Sequence, residues 1–73
     1  MTGRPADLAT VCARIRDEYL AMPGLCLTQA QVQRRWNLTA AGSRAALLRL
    51  VEDGILRRTP VGYALRAEVI HRL

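Results

Sequence analysis

The stretch from Leu27 to Arg66, LTQAQVQRRWNLTAAGSRAALLRLVEDGILRRTPVGYALR, decides the fold. It opens on Thr28-Gln29-Ala30-Gln31, an order in which a capping threonine and a glutamine three residues later satisfy each other's backbone donors. A short helix is expected from there to about Trp36, with Val32 and Trp36 one turn apart on its inner face. Asn37 tolerates the left-handed backbone of a tight turn, Leu38 plugs that turn, and Thr39 caps a second helix running from Ala40 to about Asp53. On that helix Ser43, Ala46, Leu47, Leu50 and Val51 share one face. Ala41, Arg44, Ala45, Leu48, Arg49 and Glu52 fall on the other face or its flanks. Gly54 stands where helices end. Ile55 to Thr59 then reads as a strand, Pro60-Val61-Gly62 as a turn and Tyr63 to Arg66 as the return strand.

Toward the N-terminus, Asp7 caps an expected helix to about Ala21, with Leu8, Val11, Cys12, Ile15, Tyr19 and Met22 on one stripe. Met22-Pro23-Gly24 stops it, and Leu25-Cys26-Leu27 is an extended segment able to pair with the later hairpin. Residues 1–6 are expected to be disordered. Residues 67–73 carry Val69, Ile70 and Leu73 at helical spacing. They form either a short helix that seals the first one or half of a homodimer interface. The fold class is mainly α with a small β-hairpin, an α+β domain over residues 7–66 followed by a tail.

A 73-residue chain makes one domain with a small core. No apolar run is long enough to span a membrane, and MTGRPADLAT lacks the apolar segment of a secretory signal, so the expected location is cytoplasmic. Cys12 and Cys26 sit among apolar neighbours and read as reduced core thiols, with a disulfide as the alternative. His71 is the one histidine and lies far from both, so no metal site or cofactor is expected. Nor is catalysis: no His/Cys/Asp cluster or phosphate-cradling glycine loop is present, and Asp17-Glu18 and Glu52-Asp53 lie on helix surfaces.

The charge is lopsided. In residues 1–30, Arg4, Arg14 and Arg16 are matched by Asp7, Asp17 and Glu18, giving 3 − 3 = 0. In residues 31–73, Arg34, Arg35, Arg44, Arg49, Arg57, Arg58, Arg66 and Arg72 face Glu52, Asp53 and Glu68, giving 8 − 3 = +5, the whole net charge of the chain. A basic surface gathered on one side is the footprint of a polyanionic partner.

Two helices joined by a tight turn, the second exposing small residues and flanked by cations, suit insertion into the major groove of double-stranded DNA. The candidate contacts are Thr39, Ala40, Ala41, Ser43, Arg44, Ala45, Leu48 and Arg49 on the second helix, with Arg57, Arg58 and Arg66 on the hairpin. The alternative is a protein partner on the Ala41/Ala45/Leu48 face. RNA ranks behind both, because exposed aromatic residues on a sheet, needed for stacking, are lacking.

The run Leu50-Val51-Glu52-Asp53-Gly54-Ile55-Leu56, a helix ending in Leu-x-x-x-Gly before a strand, resembles the winged helix-turn-helix of bacterial transcriptional regulators. RIRDEYLAMPGLCLTQAQVQRRWNL is similar to a group of small bacterial winged-helix proteins of uncertain role. The resemblance covers most of the chain. It implies a three-helix winged helix-turn-helix that binds DNA and regulates transcription, with Arg44, Ala45, Leu48 and Arg49 toward DNA and the Arg57–Arg66 hairpin as the wing. The chain departs from that pattern in three places. Asn37 replaces a usual turn glycine, Gln33 replaces a small residue, and Leu48 lies on the face that is normally polar.

Overall fold

The computed structural model describes residues 7–73; the disorder expected over residues 1–6 lies outside them. In chain order the elements are α1 (Leu8–Ala21), β1 (Cys26–Leu27), α2 (Gln29–Arg35), α3 (Ala40–Glu52), β2 (Leu56–Thr59), β3 (Gly62–Leu65) and α4 (Ala67–Ile70). The class is mixed α+β. The three strands form one antiparallel sheet in the order β1-β3-β2, so the extended segment before α2 does pair with the hairpin.

Local chemistry sets each boundary. The Asp7 carboxylate accepts from the Thr10 N–H at 2.8 Å, and that bond holds its pKa below the usual value. Thr28 and Gln31 complete the capping box, at 3.1 and 2.9 Å. The Thr39 hydroxyl accepts from the Gly42 N–H at 2.9 Å. Helices α2 and α3 end alike. Asn37 (φ 54°) and Gly54 (φ 78°) take the left-handed conformation. The next N–H groups, of Leu38 and Ile55, reach back to the carbonyls of Gln33 and Leu50 at 2.8 and 3.0 Å. This is the Schellman arrangement, in which the last orphan carbonyls find donors.

The core is shared by α1 (Val11, Cys12, Ile15, Tyr19), α2 (Val32), α3 (Ala46, Leu47, Leu50) and the sheet (Leu27, Leu56, Leu65). Tyr19 is fully buried and its hydroxyl donates to the Tyr63 carbonyl at 2.7 Å, tying the end of α1 to the middle strand. Glu18 and Arg35 form an ion pair that joins α1 to α2, and the Arg35 guanidinium lies 5.6 Å from the Trp36 ring centre.

Several expectations need correction. Leu8 and Met22 belong to the apolar stripe of α1 by spacing but are exposed, Leu8 as the first residue of the helix and Met22 as its C-cap. Cys26 is exposed rather than buried: in a two-residue strand Leu27 turns inward, so Cys26 turns outward. Both cysteines are free. Gly62 is not part of the turn but pairs with Thr59, leaving a two-residue loop of Pro60 and Val61. Arg66 is not in the return strand; it is the N-cap residue of α4. In the tail, Val69 packs against the core, while Ile70 and Leu73 stay exposed.

Candidate nucleic-acid interface

The outward face of α3 follows from its packing. Ser43, Ala46, Leu47 and Leu50 are buried against α1, α2 and the sheet, which turns Ala41, Arg44, Ala45, Leu48, Arg49 and Glu52 to solvent. Ser43 is thereby removed from the candidate contacts. It is fully buried, and its hydroxyl donates to the Ala40 carbonyl at 2.9 Å inside the helix. Thr39 is exposed, but its oxygen is committed to capping.

A shallow depression of about 340 Å³ lies between α3 and the hairpin, lined by Gln29, Arg44, Leu48, Val51, Arg58 and Tyr63. Two of the expected cations, Arg44 from α3 and Arg58 from the hairpin, line it together with Leu48. The strand pairing explains how. Arg58 sits opposite Tyr63 in the β2–β3 ladder, and side chains directly opposite share a face of the sheet. Arg57, one residue earlier, must point to the other face, where Ala64 is its cross-strand neighbour. The two adjacent arginines therefore serve opposite sides of the hairpin.

The remaining cations are held elsewhere. Arg49 lies on the far flank of α3, with its Nε 3.7 Å from an Asp53 carboxylate oxygen one turn on. Arg66, at the base of the hairpin, donates to both Glu68 oxygens at 3.3 and 3.4 Å and holds the Glu68 pKa below the usual carboxylate value. Arg35 is drawn to Glu18.

Gln29, Tyr63 and Val51 were absent from the expected contact set. Tyr63 was legible only through the hairpin register. Gln29 is carried there by the α2 start, and its side-chain amide lies 3.5 Å from the Ala40 carbonyl; nothing local to its sequence marks it. A larger cleft of about 580 Å³ opens on the other side of α3, among Leu8, Val11, Arg14, Trp36, Leu38 and Ala45. It takes in Thr39 and Ala45 from the candidate set but none of the arginines of α3 or the hairpin.

Among the described residues, no helix is long and apolar enough to cross a membrane, and no three His, Cys, Asp or Glu side chains are grouped to hold a metal ion. No family model, curated protein or solved structure matches this chain.

Proposed function

We propose that this chain is a winged helix-turn-helix domain that binds double-stranded DNA and acts as a small regulator of transcription. Helix α3 enters the major groove, and the β2–β3 hairpin is the wing beside the sugar-phosphate backbone. The observation that carries this reading is the convergence of Arg44 and Arg58 on the solvent face that α3 and the hairpin share. The concentration of the whole net charge in residues 31–73 supports it. Ala41 and Ala45 lower the profile of the helix so that its backbone can approach base edges, and Arg44 supplies a planar fork for guanine or phosphate. Binding is the whole activity proposed; no group in the site is assigned a chemical step.

A titration of labelled mixed-sequence duplex with the protein, followed by fluorescence anisotropy at low and physiological salt, tests the reading. Micromolar or tighter binding that weakens steeply with salt supports it. No binding at low salt overturns it.

The exposure of Leu48 favours one second reading, a protein partner docked on the Ala41/Ala45/Leu48 face. It predicts that Leu48→Asp breaks a complex while leaving duplex affinity unchanged. A homodimer through the tail would use Ile70 and Leu73, since Val69 is occupied with its own core. Sedimentation of the wild type against Leu73→Asp decides that point.

A further inference from the structure

Leu48 is the large apolar side chain on the outward α3 face, 56 % exposed, with the small side chains of Ala45 and Ala41 one and two turns before it. Arg44 lies one turn before it, and both line the depression that Arg58 and Tyr63 close from the hairpin. Glu52, one turn later, repels phosphate, so a duplex is met through the earlier turns of α3. In the major groove the apolar group offered by a base edge is the thymine methyl, whereas an arginine fork matches guanine O6 and N7. Positions four apart on a helix are separated by about 6 Å along its axis, roughly the rise of two stacked base pairs. We infer that Leu48 is a specificity-determining residue that reads a thymine methyl within two base pairs of a guanine read by Arg44. This rests on the duplex-binding reading above and adds to it a preferred sequence.

Selection of duplexes from a random library with the full chain gives the preferred site, which is expected to hold a thymine one or two pairs from a guanine. Replacing that thymine with deoxyuridine deletes the methyl alone. Wild-type affinity, read by anisotropy, is expected to fall about fourfold, the effect of re-exposing one methyl-sized group. Leu48→Ala, at an exposed position and with its helical circular dichroism retained, is expected to lose a similar factor on the thymine duplex and to bind both duplexes alike. An equal deoxyuridine loss in both proteins, or selected sites without thymine, overturns the inference and leaves duplex binding standing. Failure to retain any duplex, with Arg44→Ala indistinguishable from wild type, overturns the duplex reading and this inference together.

Discussion

Arg44 and Arg49 share a helix, yet their surroundings differ. Arg49 is within 3.7 Å of Asp53 and so is partly neutralised, while Arg44 faces Arg58 across a depression that holds no carboxylate. The two are not interchangeable. Arg44→Ala is expected to weaken duplex binding roughly tenfold to a hundredfold, the cost of a lost base or phosphate contact. Arg49→Ala is expected to change it by no more than about threefold, since the neighbouring Asp53 carboxylate repels the phosphates that Arg49 would attract. Anisotropy titrations of the two variants check the ranking, and a reversed order would move the contact edge to the α1 side of the helix. Tyr19 gives a second prediction. Burial pushes its phenol up to about 12, from the ordinary value near 10. The raised value means that its contribution to stability is complete below about pH 10 and is lost as pH rises through about 12. The loss amounts to roughly 2–3 kcal/mol. Urea melts across that window are expected to show it in the wild type and to show a smaller fall in Tyr19→Phe. At neutral pH the same variant is expected to lose about 1 kcal/mol with its bond to the Tyr63 carbonyl.

At the scale of elements, the caps and one glycine set where the site-bearing pieces sit. Thr28 and Thr39 each satisfy an orphan N–H at the start of the two helices around the turn. Thr28→Ala and Thr39→Ala are each expected to cost about 1 kcal/mol. Gly62 has a different role. Its φ is 144°, and a Cβ there would lie 2.6 Å from the carbonyl oxygen of Leu27, at the end of the β1–β3 pairing. Gly62→Ala is expected to cost roughly 2 kcal/mol or more and to loosen the strand that places Tyr63 beside Arg58. Gly24→Ala, with open space around its Cβ and no left-handed backbone, is expected to be near neutral. Urea denaturation of the four variants checks the order.

For the whole molecule, the charge placement makes a quantitative statement. If Arg44 and Arg58 each displace a counterion from the duplex, the logarithm of affinity is expected to fall against the logarithm of salt concentration with a slope of about −2. Removing Arg58 is expected to reduce that slope by about 1 without changing sequence preference, and removing Arg57, on the other face of the hairpin, to leave it nearly unchanged. Titrations at several salt concentrations measure both. A slope near zero would place the basic half away from the phosphates.

The elements around the turn were legible because the information is local. A capping threonine, an asparagine or glycine at a left-handed position and a run of core residues at helical spacing act within a few residues of one another. Thr28, Asn37, Thr39 and Gly54 do in the structure what their types and positions imply. The apolar faces of α1 and α3 were legible for the same reason, except at Leu8 and Met22, which stand exposed at the two ends of α1. The composition of the site was only partly legible. That Arg57 and Arg58 point to opposite faces follows from strand alternation once the register is known. The register itself is set by how β3 packs between β1 and β2. Ser43 shows the converse: helical spacing places it on the core face, which removes it from solvent however polar its side chain. The sequence by itself thus determined the order and caps of the elements, the buried faces of the main helices and the excess of positive charge in the second half. Only the tertiary structure decided which arginines meet: the Arg49–Asp53 and Arg66–Glu68 pairs are local, but Arg35 finds Glu18 seventeen residues away only because α2 docks on α1. Arg44, Leu48 and Arg58 are brought together by the docking of α3 against a sheet whose third strand comes from before α2.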